Sequence, residues 1–360
     1  MPISNSETSL IPWPNPAWKE NPYQKLLYAA LRRHRVEIRR TPPFFSWLKL
    51  PWGYRADWLH LNWPEQLYAS RPAEQQPAAF ERVLRTLVRF REKGGRLVWT
   101  FHNRLPHDVA NPEFHRQAYG RLLERCDLVH VHFPAGAEYL QGEYGLGPEK
   151  ILIMPHGHYG HYYGPRLLQA RARALLGLPS EGRILLAFGY LRRYKGILDV
   201  AEVFHRTSVK ELHFLIAGTP EDEAVRRRLL QLQAQDARFL LKLHKFKERE
   251  IAPLFSAADA FIFPSREFFT SGSVMLALTY RLPVVAGDQN HLQLLRGRPF
   301  FKACDLASSE SIRQTLEALP DWLASRDASE FDEILAEWNW ERLAGRMAER
   351  LKSPVARPTI

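Results

Sequence analysis

The sequence predicts two doubly wound α/β domains in tandem, and three observations support that fold class. Short apolar runs alternate with longer helical patterns, which is typical of βαβ units and a mainly parallel sheet. The alternation stops in a segment rich in Gly, His and Tyr, residues 157–164, and restarts more regularly after it. The length of 360 residues also fits two domains. We expect domains over residues 1–165 and 166–335, with a helix over 336–360 that returns to the first domain.

In the first half, apolar runs predict four strands and one clear helix. The predicted strands are Trp58–Leu61, Arg96–Phe101, Leu128–Phe133 and Ile151–Met154. The helix spans Pro77–Lys93 and ends at two glycines, because glycine tolerates positive φ.

In the second half, five strands alternate with helices, and a helical stretch, Glu330–Leu351, closes the chain. The strands are Arg183–Phe188, Glu211–Ala217, Phe239–Leu243, Ala260–Phe263 and Pro283–Ala286. The helices are Arg166–Leu176, Ile197–Arg206, Glu221–Gln235, Glu248–Ala257 and Gly272–Leu278. Such sheets bind ligands at the carboxyl ends of their strands, so we expect the functional residues in those loops, around a cleft between the domains.

The net charge of +11 suggests a partner rich in phosphate. The excess is +6 up to Pro165 and +5 after it, and neither an arginine stripe nor a recognition-helix motif points to nucleic acid. One basic cluster, Arg32 to Arg40, precedes an aromatic segment that ends at Tyr54. Basic residues beside Trp rings suit an anionic membrane interface, and a solvated helix end followed by a packed loop explains them equally well.

Two distant cysteines, Cys126 and Cys304, exclude a disulfide framework and indicate a reducing compartment. The first residues lack the pattern of a signal peptide, and no apolar run approaches the roughly 18 residues that span a bilayer. We expect a cytoplasmic protein, at most peripheral on the inner face of the cell membrane.

The first segment with chemical character runs from Gly189 to Gly196. A strand is expected to open into a turn at Gly189, after which Arg192, Arg193 and Lys195 lead through Gly196 into a helix. Fixed cations beside a helix N-terminus form an anion site suited to a diphosphate. The spacing matches neither a Walker loop nor Gly-x-Gly-x-x-Gly, which disfavours a nucleoside triphosphate or a dinucleotide. The alternative is that these residues merely solvate a turn.

The second segment follows the strand that ends at Phe263. Glu267 lies in a polar loop, and the next helix begins with backbone N–H groups that can hold phosphate. The residues at this helix start are Thr270, Ser271, Gly272 and Ser273. The carboxylate can bind sugar hydroxyls, although an ordinary surface charge explains Glu267 as well.

Together, the order and spacing of these segments resemble the GT-B glycosyltransferases, specifically the family-4-like group that uses nucleotide-sugar donors. Gly189-x-Leu191-x-x-x-Lys195-Gly196 is similar to the group's Gly-Arg-Leu-x-x-x-Lys-Gly loop. Residues 257–265 resemble its Ala-Asp-x-Phe-x-x-Pro-Ser strand, and residues 282–286 resemble its Gly-x-Pro-Val-Val-Ala. The resemblance covers most of the second half. It implies two Rossmann-like domains facing a central cleft.

The resemblance also implies roles for individual residues. Lys195 would neutralise the departing diphosphate, and Glu267 would contact the donor sugar or its phosphate. Tyr190 stands where the family usually has Arg, so Arg192 or Arg193 is expected to supply that charge.

Met275 is a second departure, because the family has there a Glu that grips ribose hydroxyls. A thioether is a poor hydrogen-bond acceptor. Ser271 or Ser273 is then expected to hold the ribose, or the protein belongs to a divergent branch.

In the first half, the strand that ends near Phe101 leads to His102, His107 and Asp108. The family-4-like group places a His at this strand end, near the sugar. The phrase Thr-x-His-Asn-x-x-Pro-His from Thr100 resembles bacterial transferases of exopolysaccharide or lipid-linked oligosaccharide synthesis, including β-mannosyltransferases. A later Pro-His-Gly-His-Tyr run, residues 155–159, resembles the interdomain Pro-x-Gly element.

Histidines also recur at positions 130, 132, 156, 158 and 161, which makes a zinc site conceivable. Packing in a covered sheet explains the first two, and no Cys or carboxylate completes a tetrahedral set. The resemblance implies side chains and helix dipoles in place of a divalent ion. We therefore expect no metal site and no cofactor.

We expect transfer of a sugar from a GDP- or UDP-linked donor to a glycan or to an acceptor on polyprenyl diphosphate, in bacterial surface polysaccharide synthesis. An inverting reaction needs a general base, for which His102, His107 and Asp108 are candidates, whereas a retaining reaction does not. Three alternatives remain: a GT-B sugar-nucleotide epimerase, a basic nucleic-acid-binding protein, and an inactive transferase-like scaffold, which Met275 suggests.

Overall fold

The computed structural model describes residues 8–14, 22–40, 56–105, 111–266, 269–325 and 327–353. The chain divides into two compact units, one of Met1–Gly157 with Trp338–Ile360 and one of His158–Glu337. The sequence prediction places this division later, after Pro165. Each unit is built on a six-stranded parallel sheet with helices, so the expected α/β class is confirmed.

Among the described residues, the first unit contains six strands, four helices in its amino-terminal part and one more helix near the end of the chain. Its strands are β1 (Thr8–Trp13), β2 (Val36–Ile38), β3 (Trp58–Asn62), β4 (Arg96–Thr100), β5 (Leu128–Val131) and β6 (Ile151–Ile153). Its first helices are α1 (Tyr23–Arg33), α2 (Gln76–Glu92), α3 (Pro112–Leu123) and α4 (Pro134–Tyr144). The strand order is β2-β1-β3-β4-β5-β6.

The second unit repeats this architecture. Its strands are β7 (Arg183–Leu191), β8 (Leu212–Pro220), β9 (Phe239–Lys242), β10 (Ala260–Phe263), β11 (Val284–Ala286) and β12 (Phe301–Ala303). Its helices are α5 (Gln169–Leu176), α6 (Ile197–His205), α7 (Glu223–Gln235), α8 (Glu248–Ala257), α9 (Gly272–Thr279), α10 (Ser309–Glu317), α11 (Leu319–Ala324) and α12 (Asp332–Glu337). The strand order is β12-β11-β10-β7-β8-β9.

The last helix, α13 (Trp340–Lys352), belongs to the first unit. The single helical stretch expected over Glu330–Leu351 is wrong, because the chain leaves the helical conformation after Glu337 and a new helix begins at Trp340. Asn339 caps this helix, since its side-chain oxygen accepts from the Glu341 N–H at 2.7 Å. α13 packs on α1, and the Trp58 indole N–H donates to the Leu351 carbonyl at 2.9 Å.

The turn expected at Gly189 is also wrong, because β7 continues to Leu191. Gly189 pairs in register with Gly218 of β8, and a Cβ on Gly218 would lie only 1.7 Å from the Gly189 carbonyl oxygen. Two glycines therefore let the strands run on side by side. The chain turns later, in a short 3₁₀ turn over Arg193–Lys195 and at Gly196, whose φ is 71°.

Within the described ranges, no helix is both long and apolar enough to cross a membrane. The basic cluster lies at the end of α1 and along β2, while the aromatic residues 41–55 that follow it lie outside the described residues.

Candidate active site

In the second unit, the strand order reverses beside β7. The chain passes from β7 to β8 on one side and returns with β10 on the other. A place where the strand order reverses is called a topological switch point, and ligands of doubly wound sheets bind there, outside the carboxyl ends of the strands. The two segments predicted to carry chemistry leave β7 and β10, and they touch: a Cβ on Gly196 would lie 2.7 Å from the Pro264 carbonyl oxygen.

Lys195 is the half-buried cation of this switch point. Its ammonium group makes no hydrogen bond or ion pair with any described residue. Burial and the neighbouring Arg192 lower the pKa of Lys195 from its ordinary value. A cation that is partly withdrawn from water and has no carboxylate partner in the described chain favours an anionic ligand, since such a ligand supplies the missing counter-charge.

The two arginines of the loop differ in their partners. The Arg192 guanidinium lies 5.0 Å from the centre of the Tyr190 ring and 5.7 Å from that of Tyr194. Arg193 instead faces the start of α7, where its Nε lies 3.4 Å from Asp222 Oδ2. Of the two cations, Arg192 is the one whose field acts on Lys195.

The start of α9 forms the other side of the switch point. Ser271 precedes the helix, and its hydroxyl lies 2.9 Å from that of Ser273. A Cβ on Gly272 would come within 2.7 Å of the Tyr159 hydroxyl oxygen, so only glycine allows this close approach. Thr270 lies just before this helix start, and Glu267 lies outside the described residues.

Met275 is buried inside this unit, with 1% of its surface exposed. Its neighbours along α9, from Val274 to Leu278, are buried as well. The position that carries a ribose-binding Glu in the resembled family is therefore part of the core in this chain.

An aromatic pair follows β9, at the same edge of the sheet. The His244 ring stacks on Phe246 with 4.2 Å between ring centres. Sequence reasoning missed this pair, although aromatic residues directly after a predicted strand were a usable signal.

In the first unit, the strand order reverses between β1 and β3, and the ends of β3, β4 and β5 bring together a buried polar cluster. His102 Nε2 lies 2.9 Å from Asn62 Oδ1, and the His102 ring stacks on Trp63 at 4.3 Å. His132 Nε2 lies 3.4 Å from His102 Nδ1. His107 and Asp108, the other candidate bases, lie outside the described residues.

Burial keeps four histidines of this region uncharged, namely His60, His102, His130 and His156. It lowers the pKa of His60 to about 3 and the pKa values of His130 and His156 to about 4 each. The pKa of His102 is also lowered well below its ordinary value, by burial and by the neighbouring histidines. Within the described part of the chain, no group of three or more His, Cys, Asp or Glu side chains is placed to hold a metal ion.

Comparison with known proteins connects these sites to an enzyme class. Residues 182–314, all within the second unit, match the family model described as Glycosyl transferases group 1. A GDP-mannose:glycolipid 4-beta-D-mannosyltransferase of Xanthomonas campestris pv. campestris is 28% identical over 281 residues, which cover 78% of this chain and 73% of that protein. The chain is a glycosyltransferase.

Solved structures support the fold of this glycosyltransferase. A sucrose-phosphate synthase from Thermosynechococcus elongatus has a TM-score of 0.72 at 17% identity and covers 95% of this chain and 98% of its own. A glycosyltransferase from Rickettsia africae has a TM-score of 0.70 at 12% identity and covers 96% and 98%. The fold of the glycosyltransferase is GT-B, as the resemblance implied.

Proposed function

We propose that this glycosyltransferase moves mannose from GDP-mannose to a hydroxyl of a lipid-linked saccharide, in the synthesis of a bacterial surface polysaccharide. The observation that carries the donor part is the half-buried Lys195 ammonium at the β7/β10 switch point, which lacks a counter-charge among the described residues. A diphosphate supplies that charge. The choice of mannose, guanine and a glycolipid acceptor follows the name of the Xanthomonas relative.

In the proposed reaction, the acceptor oxygen bonds to the anomeric carbon while the bond from that carbon to the diphosphate breaks. The leaving diphosphate takes the electron pair. Lys195 and Arg192 stabilise this charge, and the amides at the start of α9 lie at the same switch point. We propose that these groups act without a metal ion or other cofactor, so that a chelator leaves the transfer rate unchanged.

GDP-mannose carries its nucleotide in the α configuration, so formation of a β linkage inverts the anomeric carbon and requires a general base for the acceptor proton. His102 is a weak base, because burial lowers its pKa well below the ordinary value. We assign the base role to Asp108, because a carboxylate is unprotonated at neutral pH and can accept the proton of the acceptor hydroxyl. We assign to the uncharged His102 ring a hydrogen bond with the donor sugar. Glu267 is assigned to the sugar or its phosphate, and Ser271 or Ser273 to the ribose.

A thermal-shift panel of GDP-mannose, UDP-glucose and dTDP-glucose tests the donor. We expect GDP-mannose alone to stabilise the wild type and Lys210→Ala, and to lose this effect in Lys195→Ala. Lys210 is an exposed lysine that precedes β8, at the opposite edge of the sheet. Equal shifts in all three proteins would exclude the assigned diphosphate site, and stabilisation by UDP-glucose alone would exclude GDP-mannose.

The base is tested by comparing Asp108→Asn with His102→Gln. We expect Asp108→Asn to abolish the rise of transfer rate with pH and His102→Gln to weaken GDP-mannose binding. The opposite pattern would reverse the two assignments.

We also propose that the protein contacts the inner face of the membrane through the basic end of α1, close to its lipid-linked acceptor. Arg32 and Arg35 are exposed there, whereas Arg33 pairs with Glu341 at 3.0 Å. Arg32 and Arg35 make no ion pair with a carboxylate in the described structure, so they suit anionic lipid headgroups.

A further inference from the structure

A continuous chain of hydrogen bonds links His102 to the carbonyl of Met154 across the carboxyl ends of β3, β4 and β5. From His102, the chain runs to Asn62 at 2.9 Å, and from the Asn62 amide to the Tyr28 hydroxyl at 3.2 Å. It continues from Tyr28 to His60 Nδ1 at 3.0 Å and from His60 Nε2 to Thr100 at 2.7 Å. All these side chains are buried.

The Met154 carbonyl, at the end of this series of hydrogen bonds, determines which group donates in each of them. His130 Nε2 lies 2.8 Å from the Met154 carbonyl oxygen, which can only accept, so this nitrogen carries the proton. The neutral ring then accepts at Nδ1, where the Thr100 hydroxyl, at 3.0 Å, is the nearer donor and the Tyr23 hydroxyl lies farther away, at 3.4 Å. Because that hydroxyl has one proton, its oxygen accepts from His60 Nε2–H.

The direction propagates to His102. His60 Nδ1 accepts from the Tyr28 hydroxyl, so the Tyr28 oxygen accepts from the Asn62 amide group. Asn62 then turns its carbonyl oxygen toward His102, whose Nε2 must donate. Two features thus lead independently to His102 Nε2 as the donor. One is the orientation of the Asn62 amide, and the other is the Met154 carbonyl at the far end of the series of hydrogen bonds.

We propose that Asn62, held by Tyr28, is a positioning residue that fixes His102 as the uncharged Nε2–H tautomer and thereby presents His102 Nδ1 to the donor sugar as a hydrogen-bond acceptor. The role of the sugar rests on the function proposed above. The Trp63 ring, stacked on His102 at 4.3 Å and 14°, keeps the imidazole from turning. At Nδ1, the 3.4 Å contact with His132 is long for a hydrogen bond, so a sugar hydroxyl can compete with it.

The tautomer is tested without turnover, by recording side-chain ¹⁵N shifts of histidine in the full-length protein. We expect a protonated Nε2 and an unprotonated Nδ1 for His102 in the wild type. Tyr28→Phe removes the acceptor that holds the Asn62 amide, so both tautomers of His102 become populated. Tyr68→Phe is the matched control, since Tyr68 is equally buried and its hydroxyl has no hydrogen-bond partner among the described residues.

Binding tests the contact with the sugar. Tyr28→Phe is expected to lower the affinity for GDP-mannose about tenfold, which corresponds to the loss of one hydrogen bond, and to leave the affinity for GDP unchanged. Tyr68→Phe should change neither. As a second route, Asn62→Asp keeps an acceptor for His102 Nε2–H and should retain the tautomer, whereas Asn62→Leu should lose it.

Three outcomes would overturn the inference. The first is a protonated His102 Nδ1 in the wild type. The second is an unchanged His102 tautomer in both Tyr28→Phe and Asn62→Leu. The third is a variant in which the His102 tautomer changes while the affinity for GDP-mannose relative to GDP does not. If the wild type bound GDP but gained nothing from the mannose, the sugar contact would be excluded while the tautomer result stood. If GDP-mannose is not the donor, the result is different: the wild type binds neither GDP nor GDP-mannose.

Discussion

At the scale of single residues, Lys195 is the side chain on which the proposed transfer depends most. Lys195→Ala should lower kcat by about 10²- to 10³-fold, because a fixed cation no longer meets the charge that develops on the diphosphate. Lys195→Arg should recover part of the loss. The measurement is GDP release from GDP-mannose in the presence of a lipid-linked acceptor fraction, with Lys210→Ala as the control. A similar kcat in Lys195→Ala and Lys210→Ala would contradict this role.

Arg192 and Arg193 form a natural pair for comparison. Arg192→Ala should weaken GDP binding more than Arg193→Ala, because Arg193 is already engaged with Asp222 whereas Arg192 lies beside Lys195. Charge-assisted contacts to phosphate are worth about 1.5–3 kcal/mol, so a loss of about tenfold or more is expected for Arg192. Titration calorimetry with GDP measures both variants. A larger loss in Arg193→Ala would reverse the assignment.

The residue types of the segment from Gly189 to Gly196 could be predicted from the sequence, because a basic run between two glycines after an apolar strand is typical of an anion-binding loop. The distinction between Arg192 and Arg193 was not readable. It depends on Asp222, which another strand brings to the loop. The partners of His102 were hidden for the same reason, since Asn62 precedes it by 40 residues and Tyr28 by still more.

At the scale of elements, the close approach of β7 and β8 makes Gly218 a sensitive position. A Cβ there would overlap the Gly189 carbonyl oxygen, whereas at Gly297, which also has positive φ, a Cβ meets no atom within 4 Å. Gly218→Ala should therefore lower the free energy of unfolding by about 3 kcal/mol or more, and Gly297→Ala by about 1 kcal/mol. Urea unfolding checks both variants. Equal losses would show that β7 and β8 can separate at little cost.

The bounds of α8 and β10 agree with the sequence prediction, because their apolar patterns are strong and end at clear breaks. The sequence prediction ends β7 three residues early, at Phe188 instead of Leu191, since glycine normally weakens a strand. Here two glycines face each other in register, and only the pairing of β7 with β8 reveals why the strand continues.

The buried histidines at the ends of β3, β5 and β6 make the first unit sensitive to acid. Their pKa values are lowered in the folded state, to about 4 for His130 and His156, from an ordinary value of 6.5. As the pH falls below 6.5, these histidines bind protons in the unfolded chain but stay unprotonated in the folded unit. The free energy of unfolding therefore decreases down to about pH 4. Each such histidine should cost about 1.4 kcal/mol per pH unit in this window.

Urea unfolding followed by tryptophan fluorescence at about pH 7.5 and about pH 5.5 measures this loss. His156→Gln should reduce the difference between the two pH values by about one histidine's share, and the exposed His161→Gln should leave it unchanged. An identical pH difference in wild type and His156→Gln would mean that this histidine is protonated in the folded protein.

At the scale of the whole molecule, the basic residues behind the net charge of +11 lie in more than one region of the protein. Lys195 and Arg192 account for a small part, at the proposed donor site. Many other arginines are paired with carboxylates, as Arg238 is with Asp236 at 2.7 Å. Exposed arginines of the first unit are therefore the ones to examine for a membrane contact.

The basic end of α1 should bind anionic vesicles in a salt-sensitive manner. Each arginine near such a surface contributes about 1 kcal/mol, so the double variant Arg32→Ala, Arg35→Ala should lower vesicle affinity by about 30-fold. The control Arg85→Ala, Arg89→Ala removes the same charge from exposed positions on α2.

Flotation with vesicles of increasing phosphatidylglycerol content separates the possibilities. A loss confined to the α1 variant means that these two arginines meet the lipid, and an equal loss in both variants means that only total charge matters. Flotation that does not depend on anionic lipid would contradict the contact altogether. Because the measurement needs neither donor nor acceptor, it tests the membrane proposal separately from the chemistry of transfer.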